Sequence, residues 1–240
     1  MDFITFNDFL NCVYVPPTEA NQRPSPDEVL EGLLMMYSGE APDITTPNEN
    51  IARKTVQGLK VIGAGVVKIV HKCKDARESS ILDLNSCTLL HVPDGVLYLM
   101  KHYDVVKCDL SNNLLSRMSP KFGSCFSNIT SLNLSMNQIS SLPKEIALCK
   151  KLEKISISSN CLVVFPYILL EIEELRNVDI SKNYIADIDE EAIEGQINLE
   201  EINLEENPLS EATHRNMSKI VKIKILLSER IYEEWEDLTI

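Results

Sequence analysis

Between Ile129 and Pro166 the chain states one pattern twice: ITSLNLSMNQISSLP and then, 23 residues on, LEKISISSNCLVVFP. In each copy apolar residues hold positions one, four, six, eleven and fourteen, Asn holds nine and Pro holds fifteen. This constrains the fold more than any other feature of the sequence. A unit of this length cannot cover its own apolar side, so it is stable only between like neighbours.

Counted by position nine, the pattern extends to six units anchored at Cys87, Asn113, Asn137, Asn160, Asn183 and Asn207, with steps of 26, 24, 23, 23 and 24 residues. The first unit is irregular, with Ser79 in place of the opening apolar residue. Positions four and six point inward from a short strand because strand side chains alternate. An amide at position nine both donates and accepts, so it can satisfy backbone groups buried between turns. Stacking predicts a parallel sheet on a concave face. The intervening segments, such as Pro143 to Lys151 and Pro166 to Glu174, are expected as helices or single turns on the convex side.

The flanks differ from the array. Residues 1–50 carry Pro16, Pro17, Pro24, Pro26, Pro42 and Pro47 among polar residues, a composition expected to be mostly disordered. Phe3, Ile4, Phe6, Phe9 and Leu10, and the stretch from Asp27 to Tyr37, are its two apolar exceptions. Residues 51–78 show a helical stripe of Ala52, Val56, Leu59, Gly63, Val66, Val70 and Cys73, interleaved with Arg53, Lys54, Lys60, Lys68, Lys72, Lys74 and Arg77. A basic amphipathic helix can lie on an anionic membrane or bind calmodulin. Because this one abuts the first unit without a linker, it is expected to cap the open edge of an array at 79–211. Residues 212–240 should close the other end, with Ile220 to Leu226 alternating like a last strand and Arg230 to Leu238, including Trp235, as a helix or acidic tail.

Formal net charge is −13, which argues against nucleic acid as partner. The excess is local: Glu171 to Glu211 holds 14 acids against Arg176 and Lys182. The seven cysteines include no CxxC pair and no disulfide cluster, and no basic-then-apolar leader opens the chain. Reduced thiols and a cytoplasmic location are therefore expected. Three sequons at Asn128, Asn133 and Asn216 read as chance in an Asn- and Ser-rich repeat. Catalytic patterns are thin. His71, His91, His102 and His214 show no paired spacing, Gly123-Ser124-Cys125 lacks the second Gly of a nucleophile elbow, and Asp187-Ile-Asp189-Glu190-Glu191 lacks the Gly turn of a calcium loop. No enzyme activity, metal or cofactor is expected.

The repeat resembles that of the intracellular leucine-rich repeat superfamily, closely so over residues 66–228. The likeness is carried by Leu82-Asp83-Leu84 with Cys87 and Pro93, by Leu152 to Pro166, and by Ile202-Asn-Leu-Glu-Glu-Asn-Pro-Leu209 followed by Ile220 to Ser228. The resemblance implies an α/β leucine-rich repeat solenoid, a right-handed horseshoe with a noncatalytic role. Its exposed strand positions three, five, seven and eight are then the candidate partner-binding surface. Asp109, Asn133, Ser156, Asp179, Lys182, Glu201, Asn203, Glu205 and Glu206 are singled out, with a basic segment of a protein partner expected near Asp179, Glu201, Glu205 and Glu206. The alternative is a membrane-peripheral regulator recruited by residues 51–77.

Overall fold

The computed structural model describes residues 68–229. The tail at 1–50, most of the basic stretch at 51–67 and the segment from Arg230 onward lie outside the described residues.

Each repeat contributes one three-residue strand: β1 (Ile81–Asp83), β2 (Lys107–Asp109), β3 (Ser131–Asn133), β4 (Lys154–Ser156), β5 (Asn177–Asp179) and β6 (Glu201–Asn203), followed by β7 (Lys224–Leu226). They form one parallel sheet in chain order. Its register aligns Leu82, Cys108, Leu132, Ile155, Val178, Ile202 and Ile225 rung by rung. Leu84, Leu110, Leu134, Ile157, Ile180 and Leu204 are buried two residues on. Each such side chain is worth about 1.5–3 kcal/mol on burial. One apolar core therefore runs from Ile69 to Ile223.

Step length sets the convex element. The 26-residue first step accommodates the seven-residue helix α2 (Asp94–Met100), whereas the 23-residue units close with 3-10 helices, Lys144–Leu148 and Tyr167–Glu171. Between these extremes lie α3 (Lys121–Cys125) and α4 (Glu190–Glu194). A Cβ on Gly123 of α3 would stand 1.9 Å from Glu145 O, so the backbone of the next repeat passes where any other residue would need space. The rings of Phe122 and Phe126 fill the core beneath, edge to face at 4.8 Å.

The ends are closed differently. Helix α1 (residues 68–79) buries Ile69, Val70, Cys73 and Ala76. Lys72 Nζ meets Asp83 at 2.8 Å, Lys68 Nζ donates to Ser86 O, and Arg77 lies 4.5 Å over the Tyr103 ring. At the far end α5 (Glu211–Met217), N-capped by Ser210, leads into β7. Only Lys224 to Leu226 forms the rung foreseen from Ile220 onward. Residues 219 and 220 turn back on the end of α5, and Val221 is 96% exposed. Cys87 is only half-buried.

Candidate interaction surface

The position-nine asparagines form a continuous polar ladder. Nδ2 of Asn137, Asn160 and Asn183 donates to the position-six carbonyl of the preceding repeat and to two carbonyls of its own turn at 2.9–3.2 Å. The Oδ1 atoms of Asn113, Asn137, Asn160, Asn183 and Asn207 accept from the backbone N–H of Leu89, Leu115, Ile139, Leu162 and Ile185, each in the preceding repeat. A buried amide with four partners answers groups that would each cost about 1–3 kcal/mol unpaired. Cys87 heads the column with a smaller role: among the described residues α1 rather than a repeat comes before its own, and its Sγ donates only to Asn85 O at 3.5 Å. Its backbone N–H is instead held by Asn113 Oδ1.

Just ahead of the ladder, Ser86, Asn112, Met136, Ser159, Lys182 and Glu206 all adopt left-handed φ of 53–56°. Sequence reading missed this, since left-handed backbone is normally signalled by Gly and these positions carry six side chains that share no type signal. The turn swings the following residue inward and leaves these six pointing out. Every repeat after the first accepts, through its position-seven carbonyl, the position-eight N–H of the repeat before it, as in Met136 N to Ser158 O at 2.9 Å.

The singled-out residues share one face, and many are internally engaged. Position five holds the strand exit. Asp109, Asn133 and Asp179 each accept from the backbone N–H and hydroxyl of the serine two residues on, and Asn203 accepts from Glu205 N. Asp179 also accepts from Ser156 Oγ at 3.1 Å. As a result Ser111 and Ser181, expected to be exposed, are buried. Glu201 pairs with Lys224 at 2.9 Å and Glu206 with Lys182 at 3.2 Å. A shallow depression of about 300 Å³ opens over β3 to β6, lined by Asn133, Lys154, Ser156, Asn177, Asp179 and Glu201 among others. Of the 14 acids between Glu171 and Glu211, the concave strands and their exits carry Asp179, Glu201, Glu205 and Glu206, and the rest lie on the sides and convex elements.

The buried thiols are chemically quiet. Burial pushes Cys73 up to about 12 and Cys149 up to about 11, and raises Cys108 further. Thiolate is therefore scarce at neutral pH. Among the described residues no group of three His, Cys, Asp or Glu side chains is arranged to hold a metal ion. No helix among them is long and apolar enough to cross a membrane.

Comparison with known proteins gives one consistent picture. The Leucine Rich Repeat family model matches residues 128–149. Leucine-rich repeat-containing protein 20 of Homo sapiens is 29% identical over 99 residues, covering 40% of this chain and 54% of that protein. Leucine-rich repeat serine/threonine-protein kinase 1 of Mus musculus is 33% identical over 115 residues, 45% of this chain but 6% of the kinase. The chain thus spans about half the length of the first relative and a small part of the second. The crystal structure of a TLR13–ssRNA13 complex superimposes with a TM-score of 0.52 at 23% identity, covering 65% of this chain and 23% of that one; this likeness concerns fold alone. Leucine-rich repeat proteins generally mediate protein–protein interaction. With the period, the rung register and the asparagine column all explained by one stacking scheme, the described residues form a leucine-rich repeat solenoid.

Proposed function

We propose that the chain is a noncatalytic cytosolic adaptor or regulatory subunit that binds a protein partner on its concave face. The observation supporting this most is the depression over β3 to β6, floored by small polar side chains. Ser131, Asn133, Ser156 and Asn177 let a partner's backbone come close, and they offer hydroxyls and amides to it. Among the described residues this face carries no aromatic anchor, so affinity comes from many modest contacts rather than a few dominant ones. At the β6 end Glu205 is exposed beside the paired Glu201 and Glu206, and a basic segment of the partner fits there.

Affinity purification with the full chain tests this reading. A variant carrying Ser156→Trp and Asn177→Arg, which fill the depression from half-buried positions, should lose the captured proteins while keeping its circular dichroism spectrum. Capture of the same set by the variant would refute concave binding. The membrane reading is less well supported, because Lys68, Lys72 and Arg77 of α1 face repeat one. Flotation of the full chain with anionic liposomes would revive it.

A further inference from the structure

Charge on the concave face is not distributed as the whole chain's acidity suggests. Position three presents Lys107, Ser131, Lys154, Asn177, Glu201 and Lys224 in order, one per rung from β2 to β7. Among the described residues Lys107 and Lys154 are exposed and form no ion pair, whereas Lys224 and Lys182 are paired with Glu201 and Glu206. The carboxylates are more occupied. Asp83 is paired with Lys72, and Asp109 and Asp179 are turned into their own strand exits by the serine two residues on. Over β2 to β4 the strand face thus carries the ammonium groups of Lys107 and Lys154, with only Ser131 between them, against one carboxylate, Asp109, which is hydrogen-bonded to Ser111. At the exit of that middle rung Met136 is 59% exposed on the left-handed turn, an adaptable apolar contact.

From this complementarity we propose that the N-terminal half of the concave face docks an acidic segment of the protein partner, with carboxylates over Lys107 and Lys154 and an apolar side chain against Met136. The inference rests on the concave reading above and adds the partner's chemistry. Two rungs separate the lysines by about 10 Å at the strand spacing of a sheet. In a polyproline II segment, with three residues per turn and a rise of about 3.1 Å, residues three apart lie on one side and span about 9 Å. The partner should thus carry acids at i and i+3 with a large apolar residue nearby. With Glu205 at the other end, the face is electrically asymmetric, which fixes the direction in which a segment lies across the rungs.

The test uses the isotopically labelled full chain and two synthetic peptides, acetyl-Gly-Glu-Ser-Ser-Glu-Ser-Leu-amide and its analogue with both Glu replaced by Lys, followed by amide NMR shifts. The Glu peptide should give saturable shifts on β2, β3 and β4. These should fade as salt rises and weaken at least tenfold with Lys107→Glu plus Lys154→Glu. The control pair Lys150→Glu and Lys151→Glu, outside the strand, should leave them unchanged. Absence of saturable shifts, shifts confined to other elements, or indifference to the Lys107/Lys154 reversal would overturn the inference. The Lys peptide reports on the parent reading separately. Shifts around Glu205 uphold a concave site even if the Glu peptide fails, and shifts from either peptide confined to convex elements remove both proposals.

Discussion

The interior rungs and the two ends of this solenoid solve the same problem with different means. Inside, Asn137, Asn160 and Asn183 serve identical sets of buried backbone groups, and each repeat is covered by its neighbours on both sides. At the first end the position-nine residue is Cys87, and cover comes from α1 through Ile69, Cys73 and Ala76 with Lys72 on Asp83. At the last end β7 adds a rung, and Ser228 Oγ accepts the Glu206 N–H at 2.7 Å where another repeat would have offered a carbonyl. The lesson is that repetition is required only where both neighbours are repeats. The ends need cover of the right shape and valence, and unrelated side chains supply it.

The largest effect expected from this contrast is Asn160→Ala, which strands Ile139 N–H and takes one of two hydrogen bonds from each of the carbonyls of Leu134, Ile157 and Ser158. A loss of about 3–4 kcal/mol is expected by urea denaturation, given about 1–3 kcal/mol for the unpaired N–H and about 0.5–1.5 kcal/mol for each hydrogen bond removed. Cys87→Ala, in the same template position, should cost under about 1 kcal/mol because it removes only a half-buried thiol. Equal losses for the two would break the contrast. Next comes Gly123→Ala. Its methyl group collides with Glu145 backbone, so overpacking should cost about 2–3 kcal/mol. A neutral outcome would show that the convex side yields more readily than the sheet.

Smaller effects sharpen the picture of the ends. Ser228→Ala should cost about 1 kcal/mol, and hydrogen exchange should quicken at Glu206 while Met136 N–H stays protected. The smallest concerns pH at the first rung. Burial of Asp83 opposes its ionisation, but hydrogen bonds from Lys72 and the Asn85 N–H outweigh it and hold the carboxyl below its ordinary value of 3.8. A lowered folded-state value contributes stability above the unfolded value, and this is lost as pH falls through the folded one. Exchange in α1 should therefore quicken below about pH 4 before that of β3 to β5, and Asp83→Asn should remove the difference.

Much of this layout was legible in the sequence because the repeat leaves few alternatives. Strands, inward residues and the asparagine column follow from a period that alternation and valence explain. Ser111 and Ser181 were misplaced because the Asp two residues earlier draws their hydroxyls in, a contact that no burial pattern announces. Val221 was misplaced because alternation there competes with the exit turn of α5. The engagement of Glu201 and Glu206 was likewise hidden, since it depends on Lys224 and Lys182 facing them across rungs, and that of Asp179 depends on Ser181 and Ser156.

Amide hydrogen exchange of the native chain tests the central claim most directly. The N–H groups of Leu115, Ile139 and Leu162, each donated to the asparagine of the next repeat, should be protected to a similar degree and open together, with α1 and the Ser228 region exchanging sooner. If any one of those three exchanged at the rate of exposed loops while its neighbours stayed protected, the rungs would not be covering one another and the account would be wrong.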